Sequence, residues 1–152
     1  MIIYSIANTL LNEFFARGDK TSLIPTSTAC YIGMSTTVPT VNDSGVITNF
    51  TEPAPVTGYH RARLGLYNNE ETWLMDAAKN GSITNGSNFI FFDEATPGGD
   101  GFGELKWFGL FSESTPSINS KPVLAGELTT PVPVPAGNVL IFRPNNLTVS
   151  ME

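Results

Sequence analysis

From Ala29 onward the apolar residues recur with the two-residue period of a strand. They come in short runs closed by Gly, Pro and Asn, a punctuation that restricts the chain to an all-β fold. The runs are Ala29–Ser35, Tyr59–Tyr67, Asn88–Phe92, Glu104–Ser112, Val123–Leu128, Val139–Arg143 and Leu147–Met151. Asn80-Gly81 and Asn85-Gly86 are turn dipeptides, since both residue types tolerate the positive φ of a tight hairpin. Between them Ser82–Thr84 reads as a short strand or a wide loop. Strands of this length suggest a sandwich or barrel, and the expectation is a single-domain antiparallel β-sandwich, jelly-roll or Ig-like, over residues 1–152. A chain of 152 residues can bury such a core without staples.

One segment departs from this period. Ile3, Ile6, Ala7, Leu10, Leu11, Phe14 and Phe15 recur at three- and four-residue spacing, which predicts one amphipathic N-terminal helix over residues 3–17. Gly18 is placed to end it, and Arg17 suits the negative end of its dipole. Its apolar stripe must be covered, by its own domain or by a partner subunit.

Within Tyr59–Tyr67 the alternation puts Ala62, Leu64 and Leu66 inward, and Tyr59, Arg61, Arg63 and Tyr67 outward. Phe89–Phe92 and Leu105–Phe111 are apolar on both faces, as central strands are. The alternating Pro131, Pro133 and Pro135 predict an edge strand or an extended connection, because proline cannot donate to a ladder. Val38–Gly58 and Asp93–Gly103 are the long loops, where partners are usually met. The surface contacts expected from this reading are Ile3, Leu10, Phe14, Tyr59, Arg61, Arg63, Tyr67 and Trp73.

Charge narrows the function. Only 14% of residues are charged and the net charge is −6, so the surface is built from Ser, Thr, Asn, Gly and Pro. An acidic chain with eight Lys and Arg lacks the basic groups that displace counterions from nucleic acid, and anionic membranes are disfavoured for the same reason. No apolar stretch approaches the roughly 20 residues of a membrane span. The N-terminus lacks a basic start and its apolar run is broken by Asn8, Asn12 and Glu13, which predicts synthesis in the cytoplasm without a signal peptide. The lone Cys30 permits no intrachain disulfide and reads as a small buried strand residue.

Catalytic signals are sparse. His60 is the single histidine, no Gly-x-Ser-x-Gly elbow accompanies it, and a structural role is expected. Asp93, Glu94, Asp100 and Glu104 could offer oxygens to Ca²⁺, but their spacing fits no EF-hand loop and a solvated loop is the simpler reading. The expectation is no enzyme, no cofactor and no metal. Trp73, Tyr59 and Tyr67 would form a sugar-stacking platform if exposed, which keeps a carbohydrate-binding module as an alternative. Trp107 lies in an apolar run and is expected to be buried.

Four blocks carry a wider likeness. They are Ile6–Phe15, Cys30–Thr40, Thr51-Glu52-Pro53 leading to Gly58-Tyr59-His60-Arg61-Ala62, and Trp107–Phe111. Leu124–Pro131, Pro135–Asn138 and the strand Leu140–Phe142 then follow in the same order. Together, over almost the whole chain, these resemble small bacteriophage proteins described as tail-fibre-like or virion structural proteins. The sequence departs from that pattern in the Gly-rich Asp93–Gly103 loop and an insertion at Glu70–Ala78. The resemblance implies a β-sandwich on a phage particle with no catalytic residues. The expected function is capsid decoration or cement, binding the shell, with a tail-fibre or neck component as the alternative. The expected partners are other copies of the chain, as a trimer, and phage capsid or tail proteins.

Overall fold

The computed structural model describes residues 29–66, 73–117 and 119–150. The expected helix over residues 3–17, with Ile3, Leu10 and Phe14, lies outside these residues, as does Tyr67. The described chain is all-β, with antiparallel pairing and one 3₁₀ turn, η1 (Pro55–Thr57). Ten strands run in chain order: β1 Ala29–Ser35, β2 Thr40–Val41, β3 Ile47–Thr48, β4 Ala62–Leu66, β5 Ser82–Thr84, β6 Ile90–Glu94, β7 Gly103–Phe111, β8 Leu124–Val134, β9 Val139–Phe142 and β10 Thr148–Ser150. Among the described residues no helix is long and apolar enough to cross a membrane.

The largest sheet has the order β4-β1-β7-β8. β1 is central, and its Ala29, Cys30, Ile32 and Met34 are all buried, as expected of a strand with neighbours on both edges. It pairs antiparallel with β7, Gly33 opposite Gly109 and Met34 opposite Phe108. β8 forms the edge and incorporates Pro131 and Pro133, residues that blunt an edge because they offer no N–H to an incoming strand. The register of β7 on β8 shifts between Leu105 and Trp107, a bulge that takes up extra residues of β8. Trp107 is half-buried there rather than enclosed.

The chain packs as two compact units. One consists of Tyr31–Arg63 and Phe91–Ile141, with a core that includes Ile32, Met34, Tyr59, Phe92, Phe102, Leu105, Leu110 and Phe111. The other is built around Leu64–Ile90 and the segment from Phe142, and buries Leu64, Trp73, Met75, Ile83, Leu147 and Val149. In the second unit β5 pairs with β10, Ile83 opposite Val149. The hairpin turn before β5 is Asn80-Gly81, both at positive φ (52° and 76°), with Lys79 and Ser82 exchanging two backbone hydrogen bonds across it.

Two sequence expectations need correction. Tyr59 and Arg61 are buried, not outward, because the regular strand begins only at Ala62 and strand alternation does not extend back to them. Gly58 (φ 84°) ends η1 just before them and turns the chain so that both side chains point inward. The Phe89–Phe92 run is not buried on both faces. Among the described residues β6 pairs with β9, and Ile90 and Phe92 face the core while Phe89 and Phe91 are exposed. Arg63 is exposed, as expected.

Candidate functional site

The most connected polar cluster lies in the first unit, under the centre of β1. Glu52 approaches from the segment after β3, and Tyr59 and Arg61 from the segment before β4. Arg61 donates through Nε to Glu52 Oε1 (2.9 Å) and Oε2 (3.3 Å), and through Nη2 to Oε2 (2.6 Å). Its Nη1 donates to the Glu113 carbonyl at 2.8 Å, and the guanidinium lies 3.5 Å over the Phe111 ring. Phe50 meets the same ring edge-on, with centroids 5.5 Å apart. Arg fits this position because its planar fork meets a carboxylate at two points while its face stacks on an aromatic ring.

The Tyr59 hydroxyl donates to Glu52 Oε1 (3.0 Å) and accepts from the Met34 amide (2.7 Å). Burial, reinforced by the neighbouring Glu52 carboxylate, raises its pKa far above the ordinary phenol value, so the phenol stays neutral. Gly33 makes room for this arrangement. A Cβ there would lie 2.5 Å from Glu52 Oε1, 2.8 Å from the Phe111 ring and 3.2 Å from the Tyr59 hydroxyl.

Chemically this cluster is a buried lock. The Arg61 side chain has no exposure and that of Glu52 only 10%, and the carboxylate is filled by Arg61 and Tyr59. The block Thr51-Glu52-Pro53 to Gly58-Tyr59-His60-Arg61 thus ties the segment after β3 to the segment entering β4. Sequence reading did not assign Glu52 a role. The available signal was an acid and a base nine residues apart in a chain with few charges.

The remaining expected contacts are dispersed. Trp73 is buried in the second unit, so neither Trp73 nor Tyr59 can serve a sugar-stacking platform. His60 is exposed and accompanies Asp93, Nδ1 to Oδ2 at 2.8 Å. The buried Asn85 in the second unit was expected to form a turn, yet its side chain does more. Its Nδ2 donates to the carbonyls of Asn88 (2.6 Å) and Arg143 (2.8 Å), and its Oδ1 accepts from the Leu147 amide (3.1 Å).

The first unit also presents an arm. Residues Thr36–Thr51 carry the two-residue strands β2 and β3, with Thr40 opposite Thr48 and Val41 opposite Ile47. The Asn42 side chain closes its tip by accepting from the amides of Ser44 and Val46. At its base the buried Ser35 hydroxyl accepts from the amides of Thr37 (3.1 Å) and Thr51 (2.9 Å), and the Thr36 amide donates to the Thr51 carbonyl. The arm is therefore anchored to the end of β1 while Val38, Val41 and Val46 remain exposed.

The family model described as Podophage GP4 fiber I protein gp80 matches residues 2–150. The chain belongs to this family. The gp80 fibre family accounts for the order of blocks noted in the sequence and identifies the chain as a phage structural protein and virion component. Within this gp80 family member, the block from Thr51 to Arg61 holds the buried lock rather than an exposed contact. No curated protein and no solved structure matches the chain.

Proposed function

We propose that the chain is a non-enzymatic assembly subunit of a phage fibre, with its strands arranged as a β-sandwich, and that it engages neighbouring virion proteins through the β2–β3 arm. The observation that carries this reading is Val41, 67% exposed on an arm whose base is pinned by Ser35 and Thr51. Exposed valines on a flexible tip would lose entropy on docking, whereas an arm held at base and tip has already lost most of it. The fibre description of the family supports the tail over the shell.

Particles carrying a labelled chain, imaged by electron microscopy, test the address. Label confined to fibres is expected, and label spread over the head would instead establish shell decoration. A Val38→Asp/Val41→Asp variant should fold normally and fail to incorporate into particles. Normal incorporation would remove the arm from the reading.

A further inference from the structure

The chain carries the same tripeptide twice, as Asn80-Gly81-Ser82 and as Asn85-Gly86-Ser87. Asparagine followed by glycine is prone to self-conversion, because a residue without a side chain lets its backbone nitrogen reach the asparagine side chain. That nitrogen attacks Cγ, a Cγ–N bond forms, the Cγ–Nδ2 bond breaks, and ammonia leaves with the proton the backbone nitrogen gives up. Solvent water then opens the cyclic imide at either carbonyl, leaving aspartate or isoaspartate. The two copies share their local chemistry, so only the fold can separate them.

Asn80 is exposed on the turn before β5. Asn85 is fully buried, and both of its reacting groups are held. Its Nδ2 donates to the carbonyls of Asn88 and Arg143, and its Oδ1 accepts from the Leu147 amide. The attacking nitrogen, that of Gly86, donates to Thr84 Oγ1 at 3.0 Å, while the Gly86 carbonyl accepts from the Asn145 amide at 2.9 Å. The Asp76 carboxylate fills the space where a Gly86 Cβ would stand, which blocks the backbone from swinging toward the asparagine side chain.

We propose that Asn85 is a latent modification site, closed in the folded second unit, open only when the Arg143–Leu147 segment leaves it, and converted irreversibly once open. Arg143 and Leu147 lie 58 and 62 residues further along the chain, so their bonds to Asn85 exist only while the unit is folded. The product cannot restore them. An aspartate carboxylate has no N–H for the Asn88 and Arg143 carbonyls, and isoaspartate also lengthens the backbone by a methylene. Opening of the unit is thereby fixed by chemistry and no longer reversed by refolding.

Peptide mapping by mass spectrometry tests this on the full chain, incubated in mildly alkaline buffer with and without denaturing urea and read as exchange of NH2 for OH. In urea Asn80 and Asn85 should convert at similar rates. Without urea Asn85 should convert more than about tenfold more slowly than with it, because it reacts only from the open fraction. Val149→Ala, which thins the packing opposite Ile83, should speed Asn85 in buffer by the factor by which it raises the open population, read from its urea midpoint. Chains converted at Asn85 and returned to buffer should stay protease-sensitive. An Asn80→Asp variant should refold like the parent, since aspartate tolerates the positive φ of that exposed turn. Equal Asn85 rates with and without urea, or a rate that Val149→Ala leaves unchanged while lowering stability, overturn the closed site. Asn85-converted chains that refold as completely as the parent overturn the irreversible step.

Discussion

Arg61 closes a two-point fork on Glu52, nine residues earlier in the chain, with Nη2 at 2.6 Å from Oε2 and Nε at 2.9 Å from Oε1, both side chains nearly removed from water. The pair ties the segment after β3 to the segment entering β4, and through the Glu113 carbonyl to the end of β7. Removing one member strands the other charge in the interior. Arg61→Met should therefore destabilise the fold by about 3–5 kcal/mol, read as a lower urea midpoint. Glu52→Gln/Arg61→Met, which removes both charges, should recover part of that loss. A single substitution costing under about 1 kcal/mol would mean that the pair behaves as an exposed one.

Tyr59→Phe deletes the acceptor of the Met34 amide and one donor to Glu52 without opening a cavity. The expected cost is about 1–3 kcal/mol, the penalty of leaving a buried amide unsatisfied. Hydrogen exchange should show the Met34 amide losing protection more than those of its neighbours in β1.

The same phenol sets an alkaline limit. In the unfolded chain Tyr59 ionises near its ordinary value of about 10, whereas burial holds the folded-state value well above that. Above pH 10 the native state therefore binds more protons than the unfolded one, so its contribution to stability, complete below that pH, declines as pH rises. The slope from this group approaches about 1.4 kcal/mol per pH unit. Urea midpoints between pH 9 and 11.5 should fall more steeply for the parent than for Tyr59→Phe, and parallel curves would sink the assignment.

At the centre of β1, Gly33→Ala would drive a methyl into Glu52 Oε1 and the Phe111 ring. Both neighbours are fixed by the Arg61 fork and stack, so relief requires shifting the cluster, at about 1–3 kcal/mol. Combining Gly33→Ala with Tyr59→Phe should give a non-additive loss, since the two changes act on one cluster.

In the second unit Asn85→Ala removes three side-chain hydrogen bonds at a buried position and leaves the Leu147 amide and the Arg143 carbonyl without that partner. A loss of about 2–4 kcal/mol is expected from thermal or urea unfolding. Asn85→Asp should be poorly tolerated too, because a carboxylate cannot donate to the two carbonyls that Nδ2 now serves.

Local chemistry made much of the strand layout legible in advance. β1 lies at Ala29–Ser35 as its pattern indicates, the Asn80-Gly81 turn has the positive φ angles its residues favour, and the prolines of β8 sit on an edge. These features depend on backbone sterics and on the period of apolar residues, which neighbouring positions in the chain already specify. The exposure of Phe91 was not legible. Whether an apolar strand is covered on its second face depends on what packs over that face, which the residues of the strand itself do not specify.

The inward turn of Tyr59 and Arg61 belongs to the same class. From sequence alone, the all-β character, the turns and the order of blocks shared with the fibre family were determined, because each is local or a matter of order. Only the tertiary structure decided that Arg61 is a buried tie and not a surface contact. A charge enters a core when a carboxylate, a carbonyl and an aromatic ring converge on it, and Glu52, Glu113 and Phe111 meet at Arg61 only after β1, β4 and β7 have come together.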